Sequence, residues 1–124
     1  MSLVLIVEDN SMNLELTRDI LQSRGHATLE SDNAEEGLRL AATNRPDLIL
    51  MDIQLPGMSG IEALKALRAD SGTAGIPVIA VTASVMRSDR EAIMRAGFDG
   101  FIEKPITVRT FIETVERVLE QGRR

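Results

Sequence analysis

The chain has 124 residues, with 14 Lys and Arg against 19 Asp and Glu, so its net charge at neutral pH is −5. That length suits one domain with a real hydrophobic core, and an acidic chain without a basic block does not favour direct binding to nucleic acid or to an anionic membrane. The sequence lacks Trp, Tyr and Cys, which excludes an aromatic platform for stacking bases and agrees with the cytoplasmic location that we expect.

Apolar runs that are typical of buried strands alternate with segments of helical periodicity. Leu3 to Val7 is a continuous apolar run, which predicts a strand buried on both faces. The next segment predicts a helix that ends at Gly25, with apolar residues at Met12, Leu14, Leu16, Ile20 and Leu21. A weaker second strand is predicted from Ala27 to Glu30.

Two capping signatures mark the next two helices. Asn33 followed by Glu36 predicts the start of a helix that runs to about residue 43, and Ser59 followed by Glu62 predicts the start of the third helix. The apolar run at 47–52 between them predicts the third strand.

The second half of the chain continues the alternation. The fourth strand is predicted from Ile76 to Val81, Ser88 with Glu91 is predicted to cap or strengthen the fourth helix, and the fifth strand is predicted from Phe98 to Glu103. The last helix has one apolar face, made of Val108, Phe111, Ile112, Val115, Val118 and Leu119. Five strand–helix units in this order predict one α/β domain, with a parallel sheet, right-handed crossovers and helices on both faces.

Chemically reactive side chains stand at the ends of four predicted strands: Glu8 with Asp9, Asp52, Thr82 and Lys104. Because ligands of open α/β sheets bind at the carboxyl ends of the strands, we expect these groups to share one site. Three carboxylates need a cation to lie together, and oxygen ligands without His or Cys favour Mg²⁺. Asp52 is then a candidate nucleophile that forms an aspartyl phosphate, with Lys104 and the Thr82 hydroxyl bound to phosphoryl oxygens.

Four segments resemble the receiver domain of two-component response regulators. They are Val-Glu-Asp-Asn at 7–10, Met-Asp-Ile-Gln-Leu-Pro-Gly-Met-Ser-Gly at 51–60, Val-Thr-Ala at 81–83, and Lys104-Pro105. The sequences of these segments are most similar to those of stand-alone DivK-type regulators and of the receivers of hybrid kinases. The resemblance implies a flavodoxin-like (CheY-like) fold, with strand order 2-1-3-4-5 and five helices on both faces, as a single receiver domain over 1–124 with no output domain.

The resemblance also implies roles at the metal site. Asp52 would be the phosphoacceptor, and Asp9 and Asp52 would bind Mg²⁺ directly. The backbone carbonyl of Gln54 would complete the protein ligands, while Glu8 would act through a water molecule. Family members carry either acid at the position of Glu8.

The resemblance also implies roles for Lys104, for its peptide bond to Pro105, and for two residues that form a conformational switch. Lys104 corresponds to the lysine of the family, and the Lys104–Pro105 peptide bond is expected to be cis, a geometry largely confined to proline. Thr82 and Phe101 would be the switch pair, in which the threonine hydroxyl moves to the phosphate and the ring turns inward.

By this resemblance the chain is a signalling protein and not an enzyme, since it catalyses only its own phosphorylation and dephosphorylation. The phosphoryl group would come from a sensor histidine kinase or a histidine phosphotransfer protein. Output would pass to a downstream effector protein, a kinase being one candidate, without direct contact with nucleic acid or membrane. An alternative function is that of an intermediate carrier in a multistep phosphorelay.

Three other interpretations remain open from the residues alone. A phosphatase or mutase that uses an aspartyl phosphate needs a second acid two residues after the nucleophile, where this chain has Gln54. A flavin carrier needs a loop that cradles phosphate after the first strand, where Glu8, Asp9 and Asn10 would repel it without a metal ion. A degenerate receiver would lack part of the phosphorylation site, whereas all of its core residues are present here.

Overall fold

The computed structural model describes residues 2–83 and 87–122, with side chains for all of these except residues 87–89. Strands and helices alternate in this part of the chain: β1 (Leu3–Val7), α1 (Ser11–Ser23), β2 (Ala27–Ser31), α2 (Ala34–Asn44), β3 (Leu48–Asp52), α3 (Gly60–Ala69), β4 (Val78–Thr82), α4 (Arg87–Arg95), β5 (Gly100–Glu103) and α5 (Val108–Gln121). The strands form one parallel sheet in the order β2-β1-β3-β4-β5. The predicted fold and strand order are thus confirmed.

Two hydrophobic cores lie on opposite faces of the sheet because successive strand side chains point in opposite directions. Leu5, Ile49 and Val78 face the core that α2, α3 and α4 cover. Their neighbours Val4 and Ile79 face the core that α1 and α5 cover. Both faces are therefore buried, which explains why the central strands are continuous apolar runs instead of alternating patterns.

The predicted caps of α2 and α3 are confirmed. The Asn33 side chain accepts a hydrogen bond from the backbone N–H of Glu36, at 2.8 Å. Ser59 and Glu62 form a complete capping box, in which each side chain accepts from the other's backbone N–H at 3.2 Å. These local signals could be read from the sequence because the two partners lie three residues apart.

The last two strands begin two residues later than predicted. β4 begins at Val78 because Pro77 has no N–H to donate to the sheet. β5 begins at Gly100, since the preceding Asp99 turns its carboxylate to the Val78 N–H and to Arg68, each at 2.9 Å. α4 begins at Arg87, so Ser88 lies inside the helix and not at the predicted cap position. The alternative, that Ser88 strengthens the helix, stays a prediction because its side chain lies outside the described residues.

The predicted face of α1 was partly wrong. Met12 and Leu16 are exposed, whereas Thr17, Ile20 and Leu21 are buried. At about 100° per residue, Met12 and Leu16 lie about 90° or more from the centre of the buried face. The Thr17 hydroxyl fits this apolar interface because it donates to the Asn13 carbonyl at 2.9 Å. The Val108 side chain at the start of α5 is likewise about half exposed.

None of the helices in the described residues is both long enough and apolar enough to cross a bilayer.

We expect Phe111→Ala to lower the free energy of unfolding by about 3–5 kcal/mol, because a large side chain is lost from a tightly packed interior. Phe111 is fully buried in the core between α5 and the sheet. Denaturant unfolding measures the change. Val108→Ala on the same helix is the control and should change stability by less than about 0.5 kcal/mol. A loss at Phe111 no larger than that of the control would contradict this packing.

Candidate functional site

The predicted site residues meet at the carboxyl ends of neighbouring strands. Glu8 and Asp9 follow β1, Asp52 ends β3, Thr82 ends β4, and Lys104 follows β5. Backbone hydrogen bonds continue the sheet past these ends, from the Ile53 N–H to the Val81 carbonyl at 3.0 Å and from the Lys104 N–H to the Thr82 carbonyl at 2.8 Å. The pairing of the strands therefore fixes the backbone positions from which the functional side chains extend.

Lys104 joins two buried carboxylates. Its Nζ lies 3.0 Å from Glu8 Oε1 and 3.1 Å from Asp52 Oδ2. The Lys104–Pro105 peptide bond is cis, as expected. Burial alone would lower the pKa of Lys104, but its hydrogen bonds to Glu8 and Asp52 outweigh that effect and raise the pKa above its usual value. The ammonium is thus held in its charged form between the two acids.

Glu8, Asp9 and Asp52 each offer a carboxylate oxygen to one small volume. The three oxygens lie within 4.8 Å of one another, and Glu8 and Asp52 are buried while Asp9 is exposed. Two negative charges at that distance repel by about 3.5 kcal/mol at an effective dielectric constant near 20. One ammonium cannot neutralise three acids. An all-oxygen donor set with surplus negative charge fits a hard divalent cation such as Mg²⁺.

The pKa of Glu8 is raised from 4.5 to about 7. Burial is the main cause, and a hydrogen bond with Asp52 and the charge of that carboxylate add to it. The bond from Lys104 acts in the opposite direction, as does the Asn10 N–H, which donates to Glu8 Oε2 at 3.2 Å. Without a metal ion the cluster therefore holds a proton near neutral pH.

The phosphoacceptor candidate is bound at both of its oxygens. Asp52 Oδ1 accepts a hydrogen bond from the Gln54 N–H at 3.0 Å, and Oδ2 accepts one from Lys104. The structure thus places the backbone N–H of Gln54, and not its side chain, against the Asp52 carboxylate. The role of the Gln54 carbonyl as a metal ligand stays a prediction.

The response regulator receiver domain matches residues 4–116 of the chain. The chain belongs to this family. Among curated relatives, the polar-differentiation response regulator DivK of Brucella anthropi is 50% identical over 116 residues, which are 94% of each chain. DivK of Brucella ovis is 48% identical over the same share.

Solved structures give the same result for the receiver fold. The receiver domain of a sensor histidine kinase from Pseudomonas aeruginosa, which holds a magnesium ion in its active-site cleft, matches with a TM-score of 0.84 at 30% identity and covers 98% of this chain and 96% of its own. The Vibrio cholerae chemotaxis protein CheY4 matches with a TM-score of 0.88 at 28% identity, over 95% of this chain and 98% of its own.

As a receiver domain, the chain is a phosphoacceptor and not a conventional enzyme, Mg²⁺ is its cofactor, and a histidine kinase is its partner. The acidic cluster of Glu8, Asp9 and Asp52 is the place in this receiver domain that suits the cation. The interpretations as a phosphatase or as a flavin carrier are thereby set aside.

One contact near the predicted switch residue of this receiver domain was missed by sequence analysis. The Arg90 guanidinium lies 5.3 Å from the centre of the half-buried Phe101 ring and also pairs with Glu103. Arg90 lies in α4, 11 residues before Phe101 and 13 before Glu103, so no local sequence pattern predicts the contact. A cation over an aromatic face is worth about 0.5–1 kcal/mol at an exposed site.

Proposed function

We propose that this receiver domain accepts a phosphoryl group on Asp52 from a histidine on a sensor kinase or phosphotransfer protein. The observation that carries the proposal is the placement of the Asp52 carboxylate: 3.1 Å from the Lys104 ammonium and within 4.8 Å of the other two acids of the cluster. In the transfer, a bond forms between an Asp52 oxygen and phosphorus. The bond from phosphorus to the donor imidazole breaks, and its electron pair stays on the ring nitrogen.

Two side chains and one backbone group have separate proposed roles around Asp52. Lys104 is placed to hold a phosphoryl oxygen, since its ammonium already reaches the acceptor carboxylate. The Thr82 side chain is buried at the end of the next strand, where its hydroxyl is proposed to bind another phosphoryl oxygen. The Gln54 N–H holds Asp52 Oδ1 and so orients the nucleophile.

Asp9, Asp52 and the Gln54 carbonyl are the proposed ligands of Mg²⁺, with Glu8 acting through water. When bound, the cation neutralises the acids and the charge on the phosphoryl oxygens. The magnesium ion in the cleft of the Pseudomonas relative supports this assignment. The test is the mass of the intact protein after incubation with acetyl phosphate, which should increase by one phosphoryl group with Mg²⁺ and stay unchanged with a chelator.

Signalling is proposed to follow from a shift between two arrangements of Thr82 and Phe101 that changes recognition of a downstream protein. The position of Phe101 supports this, because the ring is half-buried on β5, next to the strand that Thr82 ends. The absence of Cys throughout the chain agrees with action in the cytoplasm, which is the location we propose.

We expect beryllofluoride with Mg²⁺, a stable mimic of the aspartyl phosphate, to shift the NMR signals of Thr82 and Phe101 and to raise the melting temperature. A ligand at 100 times its Kd stabilises the folded state by about 2.7 kcal/mol. Calorimetry measures the stabilisation. Asp52→Asn is the control and should show neither change. Unaltered signals and melting in the wild type at saturating reagent would contradict the switch.

A further inference from the structure

Gly60, the first residue of α3, packs directly against the backbone of the phosphoacceptor. A Cβ atom at this position would overlap the Asp52 carbonyl oxygen and lie 2.9 Å from the Ile53 Cα. Both atoms belong to the backbone of β3 and its extension, so neither can swing aside as the end of a flexible side chain would. The position therefore admits no side chain without displacement of the acceptor strand or of the helix.

The residue after the acceptor is held from both sides. The Ile53 N–H donates to the Val81 carbonyl of β4 at 3.0 Å, and the Ile53 carbonyl accepts from the Gly60 N–H at 3.0 Å. The next amide, that of Gln54, donates to Asp52 Oδ1 at 3.0 Å. The contact with α3 thus fixes the same short turn that orients the acceptor carboxylate.

The helix cannot retreat freely from this contact. Its first turn is closed by the capping box of Ser59 and Glu62, and Leu64 and Leu67 are buried in the core below the sheet. A methyl group at Gly60 must therefore be accommodated in part by movement of the Asp52–Ile53 peptide.

We propose that Gly60 is a positioning residue for phosphorylation: its lack of a side chain lets the start of α3 press on the backbone of Asp52 and so fixes the direction of the acceptor carboxylate and of the Gln54 turn. The inference rests on the proposed function of Asp52. Gly60 itself touches neither the phosphoryl group nor the metal ion in this proposal.

Gly60→Ala tests the proposal against two matched glycines. Gly75→Ala adds a methyl group where nothing lies within 4 Å, and Gly100→Ala adds one at the far end of the sheet, 3.1 Å from Val118 Cγ2 and 3.3 Å from Ile79 Cγ1. Gly100→Ala therefore reports the effect of crowding and lost stability without any contact with the acceptor. The measurements are the phosphorylation rate with acetyl phosphate, the Mg²⁺ affinity by calorimetry and the NMR signal of the Gln54 amide.

We expect Gly60→Ala to slow phosphorylation by about tenfold to a hundredfold, because a displaced reacting group loses this much even for small movements. The Gln54 amide signal should move and Mg²⁺ should bind more weakly, while both control variants keep the wild-type rate and signal. A Gly60→Ala rate and Gln54 signal equal to those of Gly100→Ala would overturn the inference. If the wild type itself gains no phosphoryl group on Asp52, the proposed function fails and the role of Gly60 in phosphorylation fails with it, whereas the Gln54 signal and the Mg²⁺ affinity still show whether Gly60 holds the turn after Asp52.

If Gly60→Ala does not fold, Ser59→Ala decides the question. It removes the capping hydroxyl and loosens the first turn of α3 without adding an atom. Asn33→Ala is its control, since it removes the equivalent cap of α2, and each cap is worth about 1 kcal/mol. Ser59→Ala should slow phosphorylation and shift the Gln54 signal relative to Asn33→Ala. Equal rates and an unmoved signal in the two variants would overturn the inference.

Discussion

Asp52→Asn should abolish the phosphoryl adduct that the wild type gains from acetyl phosphate with Mg²⁺. The substitution keeps the size of the side chain but replaces a charged oxygen by an amide, which is not a nucleophile toward phosphorus. Lys104, Thr82 and the turn at Gln54 stay in place, so loss of the adduct reports the acceptor atom and not loss of the site. Intact-protein mass and mapping of the modified peptide measure the result.

Asp47→Asn, just before the start of β3, is the matched control for that experiment. Asp47 lies before β3, at the opposite end from the site, where its carboxylate accepts a hydrogen bond from the Leu3 N–H at 2.8 Å. This variant should be phosphorylated like the wild type. An adduct that persists in Asp52→Asn would identify another carboxylate as the acceptor and contradict the assignment, whereas melting temperature and NMR spectra establish that the variant is folded.

The sequence predicted the fold well where partners are close in the chain or where a whole strand is apolar. The caps at Asn33 and Ser59 follow from residues three positions apart, and buried parallel strands stand out as continuous apolar runs. Helix faces were less predictable. The buried face of α1 includes Thr17, whose hydroxyl is satisfied by its own helix, and excludes Met12, so hydrophobicity alone predicted this face only in part.

The candidate site was predictable for a topological reason: parallel strands bring their carboxyl ends to one edge whatever the detailed packing. The meeting of Lys104 with Glu8 and Asp52, 96 and 52 residues away, follows from that rule. The sequence does not give the distances between side chains or their degree of burial. The raised pKa of Glu8 depends on burial, and the closeness of Gly60 to Asp52 and of Arg90 to Phe101 depends on how helices pack on the sheet.

Glu8 should make the metal-free protein less stable as the pH rises. The pKa of Glu8 has its usual value of 4.5 in the unfolded chain and is raised to about 7 in the folded protein, chiefly through burial. Between these values the folded protein holds a proton that the unfolded chain has released, so the free energy of unfolding falls as the pH rises from about 4.5 and levels off above about 7. At 1.36 kcal/mol for each unit of pKa, the whole change is about 3 kcal/mol.

Denaturant unfolding in a chelating buffer, from about pH 5 to about pH 8.5, measures this loss. Glu8→Gln should remove it, because the amide carries no titrating proton. Glu116→Gln is the matched control: Glu116 is a half-exposed glutamate that pairs with Arg24 on the surface, and its loss should leave the pH dependence as in the wild type. Equal slopes in all three proteins would show that Glu8 does not titrate as its burial requires.

Magnesium should reverse the same loss, since the charge of a cation next to Glu8 favours the ionised carboxylate and so releases the proton. In the wild type, Mg²⁺ affinity should fall by up to about tenfold for each pH unit below about 7, because protons and the cation compete for one cluster. Stabilisation by a fixed Mg²⁺ concentration should therefore grow as the pH rises to about 7. Titration calorimetry at two pH values measures the affinity and the protons released. Glu8→Gln should bind Mg²⁺ with little pH dependence over this range, and a wild-type affinity that is independent of pH there would refute the coupling.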